Sequence, residues 1–170
     1  MPAVCLLGVC LLLSAAVIGH GTATAGELLT VSGERLPPTL NPRFSELLAA
    51  HRGRPLLINF WASWCDPCRD EVPALQRLSD RYRSRGLAVI TVAVADQMTA
   101  AERIFAAHDV RLPLVDDREQ TISRAWGVRF LPGTLLLDRH HRLRLRAQGV
   151  VDWDSPHVAR QLQALLKTLR

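Results

Sequence analysis

The chain has 170 residues, 48% of them apolar, a length suited to one compact domain and a composition able to build its core. Its formal net charge of +5 is carried by arginines scattered along the chain, with Lys167 the only lysine. Dispersed charge behind an export-like leader excludes nucleic-acid binding, and the two cysteines beyond that leader are too few for a disulfide-stapled scaffold.

The stretch from Pro2 to Gly19 is uncharged and rich in Leu, Val and Ala, and it holds Cys5 and Cys10. It leads to Ala23-Thr24-Ala25 before Gly26, the small-x-small pattern of a signal-peptidase site. No Lys or Arg precedes the apolar run, which is near the lower limit for a spanning helix. The expectation is a signal peptide over 1–25 cut after Ala25, with an uncleaved anchor as the other reading. Both readings take the remainder out of the cytoplasm. Bulky Leu7 disfavours lipidation at Cys10.

Residues 26–38 contain Gly33, Pro37 and Pro38 and read as an extended lead-in to a domain over 39–170. Asn41-Pro42 caps a short helix with Phe44, Leu47 and Leu48 on one face and Gly53 as its stop. A buried strand is predicted over 56–60, then a helix from Cys65 to Arg85 with Val72, Leu75, Leu78 and Tyr82 inward, a kink at Pro73, and Gly86 as stop. Leu87 to Val94 is a continuous apolar run of strand length, as in a parallel strand covered on both faces. Thr99 and Glu102 fit a capping box for a helix through His108. A short strand follows over Leu112–Val115, then a helix capped by Asp117 and Gln120 and ended by Gly127. A hairpin pairs Thr134–Leu137 with Leu143–Val151, and Ser155-Pro156 starts a terminal helix carrying Val158, Leu162, Leu165 and Leu166. This order gives an α/β sandwich around a mixed sheet.

Chemistry concentrates in Cys65-Asp66-Pro67-Cys68, behind Trp64 at the exit of the buried strand. A C-x-x-C pair at a strand-to-helix junction reads as a dithiol/disulfide redox site. Helical spacing puts Cys65 and Cys68 one turn apart on the same face, within reach of a bond. At the helix start, unpaired N–H groups and the dipole favour a thiolate at Cys65, and Pro67 is tolerated in the first turn. Asp66 suits the helix N-terminus but opposes ionisation of Cys65 by like charge. The alternative uses of the pair are a zinc half-site or a copper-binding assembly module. Zinc requires four ligands, and His51, His108, His140, His141 and His157 are scattered. Copper carriage favours methionine clusters, and Met98 is the only methionine beyond the leader. Arg69, Asp70 and Glu71 read as a solvated charge run. Trp64 reads as a half-exposed platform, and Trp61, Trp126 and Trp153 as packing. The alternation Arg142-Leu143-Arg144-Leu145-Arg146 places arginines on one face of an edge strand.

The segment from Asn59 to Pro73, with Trp61-Ala62-Ser63-Trp64-Cys65-Asp66-Pro67-Cys68 at its centre, resembles the active-site segment of TlpA/ResA-like thioredoxin-fold proteins. Gly127-Val128-Arg129-Phe130-Leu131-Pro132-Gly133-Thr134 resembles that family's second signature. The resemblance spans residues 40–168 and implies a thioredoxin-like sandwich with helices on both faces, with a strand-helix element inserted over 96–116. It implies a periplasmic or membrane-tethered thiol–disulfide oxidoreductase, reducing apocytochrome c or copper-site assembly proteins with no cofactor besides its redox disulfide. Its partners are then disulfide-containing proteins and a membrane thiol donor, with membrane contact only if the leader stays uncleaved.

By the same resemblance Pro132 is a cis-proline facing the dithiol, and the Leu131 backbone pairs with a substrate strand. Asp96 lies close to a functional acid of the family. Two readings of it stand, a proton shuttle for Cys68 and a loop acid near a helix start. Two positions depart from the family pattern. Phe130 stands where glycine is common and Gly133 where threonine or serine is common, and both border the substrate groove. The same dithiol run in reverse gives an oxidase or isomerase, the alternative function.

Overall fold

The computed structural model describes residues 28–31 and 33–168, so the expected leader over 1–25 and the expected cut after Ala25 lie outside the described residues. The elements are β1 (Leu29–Thr30), α1 (Pro42–Ala50), β2 (Leu56–Trp61), α2 (Asp66–Tyr82), β3 (Ala88–Val94), α3 (Met98–Ala107), β4 (Leu114–Asp117), α4 (Thr121–Ala125), β5 (Gly133–Leu137), β6 (Leu143–Gln148) and α5 (Pro156–Thr168). One sheet holds them in the order β1-β6-β5-β2-β3-β4. Strands β2, β3 and β4 run parallel, while β5 is antiparallel to β2, β6 to β5 and β1 to β6.

Every residue of β2 is buried, as its unbroken apolar run requires of a strand covered on both sides. Its side chains still alternate with the period of a strand. Leu57 and Trp61 join Val72 and Leu75 of α2, Phe105 of α3 and Leu162 of α5. Leu56, Ile58 and Phe60 join Phe44 and Leu47 of α1 and Ile122 of α4. Helices therefore cover both faces of a mixed sheet, the thioredoxin-like sandwich. The run 96–116 supplies α3 and most of β4, the inserted helix and strand.

Several boundaries depart from the pattern-based reading. The lead-in contributes β1, whose Leu29 and Thr30 pair with Arg146 and Leu145; two residues are too few for a period to show. Helix α1 has the expected cap, the Asn41 side chain accepting the Phe44 N–H at 3.0 Å, but it ends at Ala50, ahead of Gly53. Helix α2 continues through Pro73 and ends at Tyr82 in a 3-10 turn over Arg83–Arg85. Gly86 then turns the chain at φ +92°, a left-handed conformation that glycine adopts without penalty.

The predicted capping box does not form. Helix α3 starts at Met98, before Thr99, and its first residues are held by Gln97 carbonyl and by Asp96, which accepts the Gln97 N–H. Strand β4 lies two residues later than predicted. Its ladder follows β3 from Thr91↔Leu114 to Val94↔Asp117. Polar Asp117 is buried there because its carboxylate accepts the N–H groups of Ile122 and Ser123 at 2.9 and 2.8 Å, capping α4. Strand β6 stops at Gln148 because Gly149 turns away and gives its N–H to the Pro132 carbonyl. Its arginines alternate outward as predicted, but β6 is not the edge strand expected, because β1 pairs outside it. The arginines brace the fold: Arg144 pairs with Asp138 at 2.8 Å and Arg146 donates to the Gly127 carbonyl at 2.9 Å.

Candidate active site

Central strand β2 delivers Ala62-Ser63-Trp64 to the sheet edge and places Cys65 as the N-cap of α2, in an extended conformation. The Cys65 carbonyl accepts the N–H groups of Cys68 and Arg69, which closes the first turn. One turn apart, Cys65 and Cys68 form a disulfide with an S–S distance of 2.05 Å. The two cysteines differ in surroundings. Cys65 is 8% exposed and lines a groove of about 310 Å³. Both belong to the buried cluster of α2, α3 and α5, but Cys68 is 1% exposed and does not line that groove.

The opposite wall of the groove comes from the segment before β5. Pairing of Phe60 with Gly133 sets that segment beside the end of β2, so Leu131 lines the same groove as Cys65. The Leu131–Pro132 bond is cis and Pro132 is buried. No hydrogen bond engages the Leu131 N–H or C=O among the described residues. Trp64 is 60% exposed, an apolar platform fixed by its indole N–H on the Ala95 carbonyl at 3.0 Å.

Asp96 is buried behind this loop. Its Oδ2 accepts the Ser63 N–H at 2.5 Å, and its Oδ1 accepts the Ser63 hydroxyl and the Gln97 N–H, each at 2.7 Å. Both oxygens thus serve the loop two residues ahead of Cys65 and the start of α3. Asp66 is exposed and pairs with Arg69 at 2.6 Å, and Arg69 also donates to the Ser63 carbonyl. A guanidinium therefore sits against the negative charge beside Cys65.

One buried acidic side chain departs from the sequence reading. Glu71, read as part of a solvated run with Arg69 and Asp70, is only 4% exposed. Its place follows from helix geometry: Cys68, Glu71, Val72 and Leu75 fall at i, i+3, i+4 and i+7, the spacing of one buried stripe. Charge obscured that periodicity. Glu71 Oε1 accepts hydrogen bonds from the Trp153 indole and the Val151 N–H, while Oε2 is buried without a close partner among the described residues, the Asn59 side chain being a further polar influence on the carboxyl. Burial pushes the carboxyl up to about 7, against those hydrogen bonds. Trp153, expected only to pack, is thus also a polar partner. Nearby in the sheet, Asn59 gives its Nδ2 to Thr134 at 3.1 Å and leaves its Oδ1 unpartnered.

Among the described residues no three His, Cys, Asp or Glu side chains gather as metal ligands, and no helix is long and apolar enough to cross a membrane. The arrangement joins a bond that can be opened, one sulfur facing an open groove, and a carboxyl that titrates near neutrality one turn beyond the other.

The sequence pattern of the AhpC/TSA family matches residues 43–146, the span from α1 to β6 that carries this site. The chain belongs to the AhpC/TSA family. Within it, the chain is similar to the thiol-disulfide oxidoreductase ResA of Geobacillus thermodenitrificans, 31% identical over 104 residues covering 61% of this chain and 60% of that protein. ResA of Bacillus subtilis is 29% identical over 87 residues, covering 51% of this chain and 49% of its own. The chain spans 60% and 49% of the length of these two curated relatives. A Chlorobium tepidum structure described as a thiol:disulfide interchange protein DsbE superposes with a TM-score of 0.70 at 25% identity, covering 81% of this chain and 99% of that one. StoA of Bacillus subtilis, at 22% identity and a TM-score of 0.56, covers 67% of this chain and 84% of its own and shares the fold. The family assignment agrees with the resemblance drawn from the two signatures.

Proposed function

We propose that this AhpC/TSA-family member is an exported thiol–disulfide oxidoreductase that reduces disulfides in other proteins, with the Cys65/Cys68 pair as its only redox group. The observation that carries the reading is the asymmetry of that pair, a disulfide with only the Cys65 side open to a groove. In the reduced form, the Cys65 thiolate attacks one sulfur of a substrate disulfide. A Cys65–substrate bond forms, and the second substrate sulfur leaves as a thiolate. Cys68, deprotonated, then attacks Cys65 Sγ, which restores the Cys65–Cys68 bond and releases the first substrate sulfur. Two electrons pass to the substrate, and a membrane thiol donor returns them to the pair.

Glu71, one turn along the buried face of α2, is the group we assign to hold the proton exchanged with Cys68. Asp96 acts as a positioning residue, fixing Ser63 ahead of the nucleophile. The free Leu131 backbone, beside Pro132, pairs with an extended substrate segment. Support for export comes from the leader ending at Ala25, and the ResA-like resemblance supports apocytochrome c or copper-site assembly proteins as substrates in the periplasm.

A second reading has one observation in its favour. Arg69 against Asp66 offsets a charge that opposes the Cys65 thiolate, and a supported thiolate makes a couple oxidising. The reduction potential of the Cys65/Cys68 couple decides. A reductant lies toward the roughly −270 mV of thioredoxin, whereas a value near about −120 mV, that of strong periplasmic oxidants, overturns the reductase reading in favour of the oxidase.

A further inference from the structure

We propose that the groove beside Cys65 selects a disulfide-bearing segment in which a tyrosine neighbours the cysteine and an acidic residue lies close by. This rests on the oxidoreductase reading above and names its substrate class. Four parts of the fold build the groove: Trp64 after β2, Val94 at the end of β3, Ser123 of α4, and the loop Val128–Leu131 before β5. Trp64 and Phe130 stand 60% and 67% exposed at its margins, so two large aromatic side chains leave most of their surface in water.

The position of Phe130 is built in. A Cβ on Gly133 would lie 2.7 Å from Val128 Cγ1 and 3.1 Å from the Phe130 carbonyl oxygen. Glycine at 133 lets the 128–130 loop close onto the start of β5, with Phe130 at the margin. The two departures from the family pattern are thus one structural device.

Two polar features point to the occupant. Ser123 is 2% exposed and lines the groove, yet its hydroxyl has no hydrogen-bond partner among the described residues. A buried hydroxyl without a partner is costly, and a ligand that supplies one removes that cost. Arg129 is exposed and makes no ion pair among the described residues, and no carboxylate lines the groove. An aromatic body ending in a hydroxyl meets Trp64, Phe130 and Ser123 together, and among the amino acids that is tyrosine. A carboxylate beyond it answers Arg129, which sets encounter rate and salt dependence more than affinity. Cys65 in the same groove places the occupant's sulfur.

The test uses the reduced full chain, with dithiothreitol as electron source, and synthetic disulfide peptides bearing Tyr, Phe or Ser beside the cysteine. The wild type is expected to favour Tyr over Ser by about tenfold in kcat/KM, and Tyr over Phe by about threefold or more. F130G collapses the Tyr-to-Ser ratio, F130W preserves it, S123A removes the Tyr-to-Phe difference, and R129E exchanges a preference for an acidic neighbour for a basic one. Equal turnover of the three peptides by the wild type, or a ratio retained in F130G, overturns the proposal while leaving the oxidoreductase reading in place. No turnover of any peptide or of bis(2-hydroxyethyl) disulfide overturns that reading and this proposal with it.

Discussion

The two sulfurs of this protein are bonded to each other, yet they belong to different environments. Around Cys65 the protein is open. Trp64 and Phe130 stand in solvent, and among the described residues the Leu131 backbone is unused and the Ser123 hydroxyl lacks a partner. Around Cys68 it is closed, with the core of α2, α3 and α5 on one side and buried Glu71 one turn on, held by Trp153 and Val151. The open side carries groups that a folded monomer does not use, and the closed side carries a charge that a folded monomer does not want. Recognition fits the first and proton handling the second, so on the proposed function a single helix turn divides the work of disulfide exchange between its two ends.

The largest effect expected from breaking this division is at the cysteines. C65S should abolish turnover of a protein disulfide and form no mixed disulfides, whereas C68S should form them and fail to resolve them. Non-reducing electrophoresis with a disulfide-containing protein substrate checks this, and equal trapping by both variants contradicts it.

The closed side is sharpened by Glu71. Its folded-state value of about 7 lies above the ordinary glutamate value of 4.5, so the folded protein holds more protons than the unfolded chain between those limits. Unfolding free energy therefore falls as pH rises through about 4.5 to 7, by about 3 kcal/mol, and stays low above that window. E71Q keeps an acceptor for Trp153 and Val151 while removing the charge. Denaturant unfolding should show the loss abolished in E71Q; an unchanged slope with pH means that Glu71 is not the group responsible.

Asp96 tests the support of the open side. D96A orphans the Ser63 N–H, the Ser63 hydroxyl and the Gln97 N–H, and should cost about 2 kcal/mol of stability. If Asp96 only positions Ser63, D96N should recover part of the turnover lost in D96A without moving the pH profile. A displaced profile restores the proton-shuttle role. The smallest effect is expected at Asp66, whose charge is exposed and already paired with Arg69. D66N should raise the potential of the couple by no more than about 20 mV.

The division was only half legible in the sequence. Cys65, Cys68 and the strand before them stood out because an unbroken apolar run followed by C-x-x-C has few other structural meanings. The sandwich followed from strands alternating with helices and then pairing as a hairpin. Glu71 was hidden because charge was weighed above spacing, although its i+3 relation to Cys68 placed it on the buried stripe. The capping box at Thr99 failed for a related reason. A local motif competes with tertiary contacts, and here Asp96 and Gln97 set the N-cap of α3 two residues earlier. Strand β1 left no signal, since two residues show no period and its pairing with β6 bridges more than a hundred residues of chain. The groove was foreshadowed by Phe130 and Gly133 only as departures from a pattern, and the contact that links them needed coordinates.

The account turns on which sulfur meets the outside, and alkylation of the reduced protein reads this directly. Mass spectrometry after brief exposure to iodoacetamide at neutral pH should find Cys65 modified at least about tenfold faster than Cys68, in keeping with the groove on one side and the core on the other. Equal rates, or faster modification of Cys68, would contradict the assignment of Cys65 as the nucleophile.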